Sequence, residues 1–109
     1  MDIKEWLDVG TGFTWKELRY LKTPSLPYNI FIDDAVYRGA DNLNNIIEHN
    51  ISLEHYSETI DSDNEKIIEN FLNEEELSFE KNREWLHEEE MYVVVYSIET
   101  FLEKVRKEK

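Results

Sequence analysis

At 109 residues the chain has the length of one domain, because chains this short rarely hold two separate cores. Apolar residues make up 40% and aromatic residues 13%, enough for a packed interior and too much for wholesale disorder. The absence of cysteine excludes disulfide frameworks, thiolate metal sites and thiol nucleophiles, while 12 Lys and Arg against 25 Asp and Glu give a net charge of −13, which disfavours binding to nucleic-acid phosphates and to anionic membranes.

In chain order, Asp2 with Glu5 three residues on is a capping-box pattern, and Ile3, Trp6 and Leu7 recur at helical spacing until Gly10 and Gly12. A short first helix is predicted. Phe13 to Leu21 fits either a ragged strand or a helical turn. Pro24 and Pro27 bracket an extended approach into Tyr28-Asn29-Ile30-Phe31-Ile32-Asp33, a predicted strand. Turn formers fill Gly39 to Asn45, and Ile46 to Tyr56 reads as one long strand. In it Ile47, His49, Ile51, Leu53 and His55 share one face, and Glu48, Asn50, Ser52 and Glu54 form a wetter one. Ser62 with Glu65 is a second capping box, and Ile67, Ile68, Phe71 and Leu72 stripe the helix that follows. Phe79 to Leu86 is a predicted strand, Glu88-Glu89-Glu90 a hairpin end, and Met91 to Phe101 a last strand buried on both faces. The expected fold is one α+β domain over residues 1–109: a mostly antiparallel sheet of about four to five strands with two to three helices packed on one face, and a basic C-terminal tail over 104–109.

The longest purely aliphatic run, Val93-Val94-Val95, is far short of the roughly 20 residues of a membrane span. Met1 to Trp6 has neither the basic front nor the apolar stretch of a signal peptide, so a cytoplasmic location, or a structure assembled there, is expected. Charge is uneven. Between Gly39 and Glu80 twelve acids face one base, Lys66, whereas Lys104, Arg106, Lys107 and Lys109 crowd the end. Solvated faces and a cationic helix end or frayed tail are the ordinary explanation. The sharper one is an acidic belt that meets a cation-rich partner or repels passing DNA.

Residues that could carry chemistry give little. His49 and His55 are six positions apart on one strand face, about 20 Å at a β rise, too far to share an ion. His87 has no second histidine at ligand spacing. Carboxylate pairs such as Asp33-Asp34 and Asp61 with Asp63 sit in polar contexts that do not split their pKa values. Asp61 to Glu65 lacks the glycine and the distant Glu of a calcium loop, and Gly10-Thr11-Gly12 follows a helix, the wrong order for a dinucleotide motif. Ser57 and Ser97 belong to no recognisable nucleophile motif. No enzyme, metal or cofactor is expected. Trp6, Trp15, Trp85 and six tyrosines exceed the needs of a small core, which favours a binding or assembly role.

The order of segments carries a resemblance: the short first helix, Pro27-Tyr28-Asn29-Ile30-Phe31, the turn Gly39-Ala40-Asp41-Asn42, the strand Ile51-Ser52-Leu53-Glu54-His55-Tyr56-Ser57, the helix from Glu65 to Leu72, then Glu90-Met91-Tyr92 and Val95-Tyr96. The chain resembles the small structural proteins of tailed phages and prophages of Gram-positive bacteria, in the tail-terminator, tail-completion and head-tail-joining group. The resemblance implies a sheet flanked by helices and a non-catalytic subunit. It further implies a ring, commonly of six copies, that caps the tail tube beside the neck proteins, assembled in the host cytoplasm and retained in the virion. In such a ring Glu74, Glu75, Glu76, Glu88, Glu89 and Glu90 are candidates for an acidic lumen or partner surface, and Tyr37, Arg38, Asp41, Asn42 and Trp15 for subunit or tube contact. No stable hold on nucleic acid and no membrane attachment are implied. The alternative is an acidic DNA mimic or regulatory binding protein directed at a basic host partner, although a mimic calls for acids spaced along one face and these are bunched.

Overall fold

The computed structural model describes residues 1–39 and 44–106. Helix α1, Ile3–Thr11, starts where the Asp2 carboxylate accepts the Glu5 amide at 3.1 Å and stops at Gly12, whose φ of 77° closes the last turn. Strands β1 (Trp15–Glu17), β2 (Tyr28–Asp33), β3 (Val36–Arg38), β4 (Asn44–His49) and β5 (Ile51–Ser57) precede helix α2, Ser62–Glu74. Strands β6 (Phe79–Leu86), β7 (Met91–Ile98) and β8 (Phe101–Arg106) follow it. No helix among the described residues is long and apolar enough to cross a membrane.

The strands form two sheets, one of five in the order β1-β2-β5-β7-β6 and one of three in the order β3-β4-β8. All pairs are antiparallel except β1 with β2. The α+β class and the mostly antiparallel pairing agree with expectation, but among the described residues there are eight strands in two sheets in place of one sheet of four or five, and two helices. The difference has a local cause. Asn50 splits the expected strand Ile46 to Tyr56 into β4 and β5, the expected strand Met91 to Phe101 ends at Ile98, and β3 and β8 are strands that the sequence pattern did not mark. Asn is a poor strand former because its side chain competes for backbone hydrogen bonds. The expected basic tail is, through Arg106, the edge strand β8.

Lateral order is the same on both sides of these interruptions: β2, β5 and β7 continue as β3, β4 and β8. The second sheet is therefore an arm extending the first. Its extension gives the molecule dimensions of 51 × 30 × 21 Å and a radius of gyration of 15.6 Å, against about 13 Å for a compact chain of this length.

Both helices cover one face of the five-stranded sheet. Ile3 and Leu7 of α1 and Ile68, Phe71 and Leu72 of α2 meet Phe31, Leu53, Val94 and Tyr96; each fully buried Leu or Ile contributes about 1.5–3 kcal/mol. The helices approach at Gly10, where a Cβ would lie 2.0 Å from Phe71 Cε1. Along β5 alternate residues Ile51, Leu53, His55 and Ser57 are buried, as the period of two predicts. The second capping box does not form. Ser62 already belongs to α2, Asp61 takes the cap position without a side-chain cap bond, and Glu65 turns inward.

Candidate functional site: an open sheet face, an arm and the seam between them

Among the described residues neither helix packs on the opposite face of the five-stranded sheet, although Tyr20 of the segment before β2 packs edge-on against Tyr28 at 5.6 Å and Ile30 and Val93 on this face are only 7% and 6% exposed. Pairing puts Tyr28, Tyr56, Val93 and Glu84 in one row across it, and Ile30, Glu54, Val95 and Asn82 in the next. The Tyr28 and Tyr56 rings stack at 4.8 Å, and Tyr56 donates to Glu54 Oε1 at 2.7 Å. Burial, then that hydrogen bond to Glu54, raises the Tyr56 hydroxyl well above its ordinary pKa. The open face is thus apolar at its centre and acidic around it.

On the arm the corresponding face holds the rows Val36, Glu48, Leu102 and Arg38, Ile46, Lys104. Val36 and Leu102 are exposed, Leu102 by 65%, and Arg38 pairs with Glu48 at 3.1 Å. Tyr37 stands exposed on the other face of the arm.

A polar seam joins arm to body. The Asn50 amide donates to Asp33 Oδ1 at 3.0 Å, its Nδ2 donates to the Asp34 carbonyl at 3.0 Å, and Thr100 Oγ1 donates to Asn50 Oδ1 at 2.6 Å. Beside it lies His49, 4% exposed. Its Nδ1 is 2.6 Å from Asp33 Oδ2 and its Nε2 2.7 Å from Glu103 Oε1, so β2, β4 and β8 meet at one imidazole. Burial alone lowers the imidazole pKa, but hydrogen bonds and charge from Asp33 and Glu103 outweigh it, and the pKa is raised. Glu103 is held below the usual carboxylate range, first by the Met1 amine at 2.7 Å and then by His49. A cleft of about 670 Å³ opens here, lined by Lys4, Glu17, Phe31, Tyr37, Ile47 and His49 among others.

His55, 1% exposed, is built the same way at the other end of β5: Nδ1 is 2.6 Å from Asn29 Oδ1 and Nε2 3.1 Å from Asp61 Oδ2. In both histidines each ring nitrogen lies within hydrogen-bonding distance of a side-chain oxygen. Among the described residues no group of three or more His, Asp or Glu is arranged to hold a metal ion. A third polar cluster pins α2 to the edge strand β6. Glu65, 1% exposed, accepts from Lys81 at 2.8 Å and from Arg83, Lys81 also reaches Glu69 at 2.7 Å, and Tyr96 donates to Glu69 at 2.9 Å. Burial pushes the Glu65 carboxyl pKa up, but the two cations more than reverse this and hold it low.

Of the residues singled out in the sequence, Tyr37 and Arg38 are exposed on β3. Asp41 and Asn42 lie outside the described residues. Trp15 is a correction: it is 0% exposed, and its indole donates to Thr11 Oγ1 at 2.9 Å, because β1 brings it under α1. It belongs to the core. The two Glu triplets are exposed, but they flank β6 at opposite ends, about 24 Å apart at 3.4 Å per residue. They do not form one continuous belt, and Glu75 is engaged by the Trp6 indole at 2.5 Å. Sequence reasoning missed the set Asp33, His49, Asn50, Thr100 and Glu103, whose members are up to 70 positions apart, from Asp33 to Glu103. The local signal was Asn50 standing inside a β-rich run. No protein-family model matches the chain, and no curated protein matches it in sequence.

Proposed function

We propose that this chain is a non-enzymatic virion structural protein of a tailed phage or prophage, a tail-terminator or head-tail joining subunit that assembles as a ring at the end of the tail tube and meets neck proteins. The observation that best supports the reading is the three-stranded arm, which carries exposed Val36, Arg38 and Leu102 beyond the helix-covered body. A projecting arm beside a helix-free sheet face is surface of the kind that subunit contacts use. The strand edges suit controlled pairing, since β6 carries Glu80, Lys81, Arg83 and Glu84, charges that blunt indiscriminate edge association. In this reading the exposed triplets Glu74 to Glu76 and Glu88 to Glu90 are two separate acidic zones, which repel the phosphates of a genome passing through the ring.

Quantitative mass spectrometry of purified particles from the phage or induced prophage encoding the chain tests the proposal. A few copies per virion, in fixed ratio to other neck proteins, is the expected result. Absence from intact tailed particles while the protein is abundant in the infected cell would refute it and bring forward the DNA-mimic or regulatory role. Reversing Glu74, Glu75 and Glu76 to Lys should lower infectivity while the monomer stays folded; unchanged infectivity removes the luminal assignment.

A further inference from the structure

The two open surfaces just described differ in charge, and they lie on one side of a continuous strand array. The arm row Arg38, Ile46, Lys104 presents an aliphatic centre between two cations on the outer strands. The body presents the apolar rows containing Tyr56 and Val95, with Glu54 and Glu84 among them. At 4.8 Å per strand and 3.4 Å per residue the two cations are about 10 Å apart and the two carboxylates about 12 Å, a difference that Arg and Lys side chains span. Within one copy the surfaces cannot meet, because β4 runs into β5 through the single residue Asn50 and both rows project to the same side.

We propose that the helix-free face of the arm docks on the helix-free face of the five-stranded sheet of a second copy of this chain, with Arg38 and Lys104 set against Glu54 and Glu84, and Leu102 and Ile46 against Tyr56 and Val95. Taking a second copy as the occupant rests on the ring-subunit reading above. Charge supports the same choice. Two copies at −13 each repel over most of their surfaces, so a stable contact has to use the places where sign changes, and the arm supplies cations where the body face supplies acids. The Arg38–Glu48 pair is no obstacle, since Arg38 keeps 62% of its side chain exposed and retains donors for a second carboxylate.

Charge reversal in two halves tests the contact. One variant carries Arg38→Glu and Lys104→Glu, the other Glu54→Lys and Glu84→Lys; circular dichroism checks that each is folded, and sedimentation equilibrium at low salt reads association. Each variant alone should associate at least tenfold more weakly than the unaltered chain, and an equimolar mixture should recover association, because each supplies the surface the other lacks. Variants that associate like the unaltered chain, or a mixture no stronger than its components, overturn the proposal. Proximity is tested separately in a chain that contains no cysteine: a Leu102→Cys variant mixed with a Val95→Cys variant should oxidise to a mixed dimer faster than the same variant mixed with a Thr59→Cys control. An unaltered chain that stays monomeric, together with no excess of the 102–95 crosslink at high concentration, also overturns it. The two readings separate cleanly: virion copies without the 102–95 crosslink in particles remove this contact and keep the structural role, whereas a crosslink in solution with no copies in virions keeps the contact and removes the role.

Discussion

Replacing His49 by Gln tests whether the imidazole clamps the arm to the body. The side chain is 5% exposed, and its carboxylate partners Asp33 and Glu103 are 9% and 18% exposed. A hydrogen bond to a charged group contributes about 1.5–3 kcal/mol and a neutral one about 1. Gln preserves size and some hydrogen bonding but no charge, so the loss across two bonds is about 2 kcal/mol, or about 8–16 °C in Tm for a domain of this size. The pH dependence is more diagnostic. The His49 pKa is raised from 6.5, so its stabilisation is complete below about 6.5, the unfolded value, and is lost as pH rises through the higher folded value. Glu103 is lowered from 4.5; its contribution is present above about 4.5 and is lost as pH falls through the lower folded value. Between those limits the arm is held most firmly. Hydrogen-exchange protection of β4 and β8 amides, measured relative to β5 and β7 from pH 6 to 9, should decline in the unaltered chain and stay flat in H49Q, and an NMR titration should place His49 above 6.5. A His49 that titrates at or below its ordinary value, or the same decline in both proteins, refutes the clamp.

Gly10→Ala should destabilise although alanine favours helix by about 1 kcal/mol, because its Cβ would stand 2.0 and 2.4 Å from Phe71 ring atoms and overpacking costs about 1–3 kcal/mol; a lower urea midpoint at unchanged slope is expected, partly recovered with Phe71→Leu, and a gain in stability would show that α1 and α2 do not cross there. Glu65→Gln removes the anion held by Lys81 and Arg83, and because those cations are about a third exposed the loss is about 1–2 kcal/mol, below the figure for a fully buried pair. Since the Glu65 pKa is lowered from 4.5, the unaltered chain should lose Tm as pH falls below about 4.5 and E65Q should lose less; parallel Tm curves between pH 3 and 6 would contradict the cluster. Asn50→Ala cuts the bonds to the Asp34 carbonyl and Thr100, about 2 kcal/mol in total, and should strip exchange protection from β3, β4 and β8 while β5 and β7 keep theirs; a uniform loss would mean that arm and body unfold as one unit.

The elements with strong local periodicity were legible. Of the stripe Ile67, Ile68, Phe71 and Leu72 the last three are buried while Ile67 is 41% exposed, and in the alternation Ile51, Leu53 and His55 are buried as expected. Interruptions were scarcely legible, because a strand that bends and a strand that runs straight share the same alternation; Asn50 inside a β-rich run was the one local sign, and its bonds to Asp33, Asp34 and Thr100 fix the break. Trp15 shows a different limit. An aromatic surplus says that some rings lie outside the core but not which ones, and here Trp15 and Tyr96 are fully buried while Trp85 is 44% exposed. Glu65 misled for a related reason: a capping box and a buried ion pair both want an acid in the first turn, and the choice between them was made by Lys81 and Arg83 on a strand formed later in the chain.

Net charge and local charge act over different ranges, and the fold separates them. At physiological salt the screening length is about 8 Å, so the acidic groups at the two ends of β6, about 24 Å apart, hardly sense each other. They repel an approaching polyanion only where it comes close. A net charge of −13 therefore keeps copies soluble and apart without dictating how they meet. Orientation falls to the few positions where the sign reverses on an accessible apolar surface, and the arm row Arg38, Ile46, Lys104 is such a position. In the proposed contact the seam at His49 and Asn50 would act through geometry, because it sets the angle at which that row is presented to a second copy. The proposed contact would thus need few cations, provided that the arm carrying them is held rigidly to the body.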